Sequence, residues 1–329
     1  MRIVTCTVVG MLSLTLGCTA PPGKSTKDAA KDKAAKATTP AAPAKPVLEE
    51  HPGGVVYVAA AGSDELVMFD RVSLELIGTP IHAGHEPGSI AIAPDGRVYF
   101  PARYMNSDDI AATTPKSDDP EHPSIPDGFR SGSLWAVDSS KGNQIQSKGY
   151  IGSSDKDLDG VFVVLHPEGT WAAIADQADN NIEFRDLSDN EQKKNRTVAV
   201  GSGPFGEAFT SDGMYFLVAN HDEANAVDPD TVSLINFLGD NAGPTEVAKI
   251  PVGAQPSQIT VSPDNKVAYV TVTGSNKVVA INLATKAVVG EWALTGMPQG
   301  IARDALGVMY YVTLQDQNSV VKIDATTGQ

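Results

Sequence analysis

From about residue 54 onward, apolar and polar residues alternate in short runs separated by turn-forming residues, the period-two pattern of half-buried strands. The clearest stretch, Pro256 to Trp292, reads as four short strands joined by turns. A first alternating segment, such as Gln258-Ile-Thr-Val261 or Ser89-Ile-Ala-Ile92, runs into a Pro-Asp-Gly type turn. Proline presets φ there, and Gly or Asn accepts a positive φ. A second strand rich in aromatic and β-branched residues follows, as in Val98-Tyr-Phe100, Tyr215-Phe-Leu-Val218 and Val267-Ala-Tyr-Val270. After a polar turn comes a third strand ending at an acid or amide: Asp70, Asp138, Asn282, Asp324. A weaker fourth strand closes the unit, as in Val247-Ala-Lys-Ile-Pro-Val-Gly253.

This unit recurs. Its first turn is found at Pro94-Asp95-Gly96, Pro167-Glu168-Gly169, Ser211-Asp212-Gly213, Pro263-Asp264-Asn265 and Ala305-Leu306-Gly307, with last positions 73, 44, 52 and 42 residues apart. The longest spacing holds an insertion, residues 106–132, rich in Asp, Pro, Ser and Gly. Four strands repeating every forty-odd residues predict an all-β fold, a β-propeller over residues 54–329. Residues 54–84 supply the last three strands of a unit, four fuller units follow, and the final one ends after its third strand. About six blades are therefore expected, in a ring that is incompletely closed, or part of a seven-bladed ring, or continued beyond residue 329.

The repeat resembles the YVTN-repeat propellers, whose tetrapeptide is approached by Tyr269-Val-Thr-Val272, Tyr311-Val-Thr-Leu314 and Leu217-Val-Ala-Asn220. The Pro-x-Gly/Gln start of each unit matches as well, at Pro87-Gly88, Pro204-Phe-Gly206, Pro256-Ser-Gln258 and Pro298-Gln-Gly300. The resemblance implies the propeller fold and leaves function open, because this fold hosts binding modules and several unrelated enzymes.

The N-terminus has a different character. Residues 1–17 combine Arg2 with an apolar stretch and read as a secretory signal too short for a comfortable span. Leu16-Gly17-Cys18 resembles a bacterial lipoprotein box, which implies cleavage before Cys18 and lipidation of that cysteine. Cys6 would leave with the signal, so Cys18 would be the one mature cysteine and no internal disulfide could form. The Lys/Ala/Pro-rich segment up to residue 53 lacks the apolar surface to pack and is expected to be a disordered tether. Thr19 after the cysteine resembles the pattern sorted to an outer membrane. The expected location is thus extracytoplasmic, lipid-anchored to a bacterial membrane, facing periplasm or surface. Residues 47–329 hold 18 basic and 38 acidic residues, a charge of −20 that disfavours nucleic acid as a partner.

The face where inner strands begin is the usual ligand face of a propeller. His85, Arg103 and His221 are the candidate catalytic residues, with acid or base capacity from the histidines. Glu86, Tyr104, Asp176, Gln177, Asp222 and Gln299 complete a polar set for ligand binding, the alternative being polar caps on strand ends. Asp155, Asp157 and Asp159 before Gly160 have the spacing of a calcium loop, or are an exposed acidic turn. His166 stands where an EF-hand requires its bidentate Glu, so a helical EF-hand is excluded. The insertion, with Asp108, Asp109, Asp118, Asp119, Glu121 and His122, is expected either to recognise a partner or to be disordered. No Cys-x-x-Cys-His, Gly-x-Ser-x-Gly or phosphate loop occurs, and six histidines are too few for a histidine-crowded copper cluster. The expected function is a membrane-anchored ligand-binding, protein-binding or scaffold module for an envelope protein, glycan or small ligand. The alternative is a propeller enzyme of the lactonase or quinoprotein amine dehydrogenase-like type.

Overall fold

The computed structural model describes residues 54–60, 63–83, 85–104, 133–138, 144–150, 162–177, 179–188, 195–221, 230–237 and 243–327. For His82, His85, Glu86, Arg103, Tyr104, Ser133 and residues 144–150 it describes the backbone alone. The signal, Cys18, the tether, the 106–132 insertion, Asp222 and the Asp155, Asp157, Asp159 loop lie outside the described residues.

Those residues form an all-β propeller of six antiparallel sheets. The first sheet has three strands, β1 (Val55–Ala60), β2 (Glu65–Asp70) and β3 (Ile81–His82). In the second, a divided inner strand, β4 (His85–Pro87) and β5 (Ala91–Ile92), pairs with β6 (Val98–Tyr104), followed by β7 (Ser133–Asp138) and β8 (Gln144–Tyr150). The third holds β9 (Val163–Leu165), β10 (Trp171–Asp176), β11 (Asn181–Asp186) and β12 (Arg196–Ala199). The fourth holds β13 (Pro204–Phe209), β14 (Tyr215–Asn220), β15 (Thr231–Asn236) and β16 (Thr245–Pro251). The fifth holds β17 (Pro256–Val261), β18 (Val267–Val272), β19 (Lys277–Asn282) and β20 (Ala287–Ala293). The sixth ends at three strands, β21 (Pro298–Arg303), β22 (Met309–Leu314) and β23 (Ser319–Asp324). Five blades thus open with an inner strand, and the first sheet has none among the described residues.

Alternation along each strand sends one set of side chains to the preceding blade and the other to the next. Five buried apolar clusters result, one per interface between consecutive sheets. Phe184, Phe216 and Phe237 anchor the interface of the third and fourth sheets, for example, and Leu217, Leu234, Val270 and Ile281 that of the fourth and fifth. No apolar cluster among the described residues joins the sixth sheet to the first.

The turns explain why the repeat is legible. Gly96, Gly169, Gly213, Asn265 and Gly307 all adopt positive φ, between 57° and 86°. A Cβ on Gly169 would collide with Pro94 of the preceding blade, and one on Gly307 with Pro263, so the turns of successive blades pack tip to tip. Where Asn265 replaces glycine, its Oδ1 accepts hydrogen bonds from the Ser211 N–H (2.8 Å) and hydroxyl (3.0 Å) of the previous turn. The acid or amide ending each third strand folds the next turn. Asp70, Asp186, Asn282 and Asp324 each accept one or two N–H bonds, of 2.8–3.1 Å, from residues two or three further on.

Candidate functional site

Inner strands begin at one face of the propeller, and there β13, β17 and β21 share a bulge: Pro204 to Glu207, Pro256 to Ile259, Pro298 to Ile301. This is the Pro-x-Gly/Gln element of the sequence. A bulge leaves ladder groups unpaired, and the tetrapeptide at the end of the middle strand supplies their partners. Thr271 Oγ1 accepts the Gln258 N–H (2.9 Å) and donates to the Gln299 carbonyl of the next blade (2.8 Å). Thr313 accepts the Gly300 N–H (2.8 Å) in the same way. Asn220 accepts from the Gly201 N–H (3.1 Å) and donates to Thr231 (2.8 Å) and Ser233 (2.9 Å), tying the third sheet to the fourth.

One position further on, the polar side chain reaches across to the next blade. His221 Nδ1 lies 3.0 Å from the Pro256 carbonyl, and Thr273 Oγ1 donates to the Pro298 carbonyl. Since a carbonyl can only accept, Nδ1 carries the hydrogen. Ser257 Oγ is 3.4 Å from that nitrogen and 2.6 Å from Thr273 Oγ1. With Nδ1 a donor to that carbonyl, it offers the Ser257 hydroxyl no lone pair in this arrangement. Gln299 Oε1 lies 3.2 Å from Thr273 Oγ1 and 3.5 Å from Ser257 Oγ, so polar groups of three blades meet here.

The other candidates sit on the same face. His85 pairs with Tyr104 and Pro87 with Ala102, which sets Glu86 and Arg103 beside them on the backbone. Asp176, 1% exposed, ends β10 and accepts the Asp179 N–H (3.2 Å), with Gln177 half-buried next to it. The structure thus brings His221 and Gln299 together through Ser257 and Thr273, and places His85, Glu86, Arg103 and Tyr104 on the second sheet.

Glu207 was not among the candidates. It lies on β13, 7% exposed, and neither carboxyl oxygen has a hydrogen-bond partner among the described residues. Burial pushes this carboxyl well above the usual carboxylate range. Aligning inner strands by their turns would have exposed it, because Ile90, Val163, Ile259 and Ile301 occupy the same step. Arg185, 2% exposed and paired with Glu183 inside the third sheet, is a second buried charge the pattern did not reveal. Among the described residues, no three His, Cys, Asp or Glu side chains converge as metal ligands.

No protein-family profile matches the chain, and no curated protein matches it. Solved structures do. Hydrazine synthase of Kuenenia stuttgartiensis superposes with a TM-score of 0.62 at 19% identity, over 83% of this chain and 81% of that one. A functionally unknown protein of Desulfotomaculum acetoxidans gives 0.60 at 14% identity, over 83% and 79%. The dihydro-heme d1 dehydrogenase NirN gives 0.57 at 15% identity over 84% of this chain, which spans about half, 53%, of NirN. At such identities the likeness establishes the fold: the chain is a β-propeller.

Proposed function

We propose that this chain is a lipid-anchored, extracytoplasmic propeller that binds an envelope protein, glycan or small ligand through the face where its inner strands begin. What carries the reading is topology. The segments joining β6 to β7, β8 to β9 and β14 to β15 all leave from that face. Residues 105–132, 151–161 and 222–229 hold twelve acidic and three basic residues between them. At that face His221 and Thr273 reach backbone carbonyls of the next blade, with Ser257 and Gln299 close against them, a rigid floor. Acidic segments on a rigid frame favour a partner with a basic surface.

Photo-crosslinking from positions within 106–132 and 222–229 in intact cells tests the reading, alongside membrane fractionation of a Cys18→Ala variant. Crosslinks to one envelope component that weaken with salt, and release of the variant from membranes, are expected. Turnover of a lactone, or of an amine with an electron acceptor, abolished by His221→Ala would overturn it in favour of an enzyme.

A further inference from the structure

Glu207 stands where the other blades carry an aliphatic side chain. Ile90, Val163, Ile259 and Ile301 all pack into the interface with the preceding blade, so the same step turns Glu207 toward the third sheet. Its neighbour Phe205 points the same way, edge-on to Phe162 with ring centres 4.6 Å apart. The strands packed against β13 are β9, β10, β14 and β17, and none carries a Lys or Arg. Their titratable groups are Asp176 and Tyr215. Asp176 alternates with Ala173 and Ala175, which face β13, and Tyr215 packs into the interface on the far side of the fourth sheet. Two histidines flank the interface. His166 lies at the far end of β13 against Phe209 and Phe237, and His221 bonds the Pro256 carbonyl at the near end.

We propose that Glu207 is a proton-operated latch on the interface between the third and fourth sheets, packing like its aliphatic counterparts while it holds a proton and loosening that interface when it ionises. A neutral carboxylic acid is close to Ile in bulk, whereas a carboxylate there has lost its water and gained no partner. The same burial sets the direction with pH. A carboxyl that holds its proton more tightly folded than unfolded stabilises fully below the unfolded pKa of about 4.3, and that stabilisation is lost as pH rises through the higher folded value. Because β13 begins at the face proposed for binding, ionisation also reaches Phe205 and the His221 clamp. The latch itself does not depend on any ligand.

Urea unfolding of the full chain and of Glu207→Gln, from about pH 5 to about pH 9, tests it. The folding equilibrium constant of the wild type relative to Glu207→Gln should fall with rising pH, by up to about tenfold per unit. Parallel profiles, or a wild type that gains on the variant as pH rises, would overturn the latch. If Glu207→Gln does not fold, Glu207→Ile takes its place. Infrared spectra give an independent reading: a protonated-carboxyl band at neutral pH that either variant removes supports the proposal, and its absence from the wild type refutes it.

Discussion

At the scale of single residues, glycine does two separable things in this chain. Gly213 combines a φ of +72° with a site where a Cβ would strike His166, whereas Gly78 has a φ of +63° and open space around it. Gly78→Ala should therefore cost about 1 kcal/mol of backbone strain. Gly213→Ala should cost about 3 kcal/mol, the excess being packing between blades. Urea midpoints at unchanged slope would measure the difference, and equal losses would show that the turns do not pack as described. The positive φ at these turns was legible in the sequence, because only a few residue types accept it. The His166 contact was not, since it depends on how two blades lie together.

At the scale of the element, the tetrapeptide resemblance gains a physical reason. Thr271 is fully buried and bridges its own bulge to the next blade, whereas Thr313 is exposed and satisfies its own bulge alone. Thr271→Val, which strands a part-buried N–H and a part-buried carbonyl, should cost about 1–2 kcal/mol, and Thr313→Val less than about 1. Comparable losses in the two variants, read by thermal unfolding, would mean that the inter-blade bond contributes little. The sequence showed the Thr and the Pro-x-Gly/Gln as separate patterns. Their pairing needs the register, in which a bulge on one strand leaves groups that only the neighbouring strand can reach.

At the scale of the molecule, the two terminal sheets have outward faces with no counterpart among the described residues. Val56 and Val58 are 37% and 41% exposed on the first sheet, and Tyr311 and Val320 are 44% and 62% exposed on the sixth. Val58→Lys and Val320→Lys should each change stability by less than about 0.5 kcal/mol. Val218→Ala, inside a sealed interface, should cost about 2 kcal/mol. A large loss from either lysine variant, measured by calorimetry, would show that these faces are covered in solution.

The sequence by itself determined the strand order, the turns and the recurrence of the blade, because alternation, φ preference and turn chemistry are local. Counting along the repeat also points to the strand ends near which His85, Arg103, Asp176 and His221 lie. The tertiary structure decided what those residues do. Asp264 and His221 are equally polar in the sequence, yet one caps a turn in water while the other spans two blades. Glu207 looks like any surface acid until neighbouring sheets close over it, since burial of a carboxyl is a property of the packed interface and of nothing in its own segment.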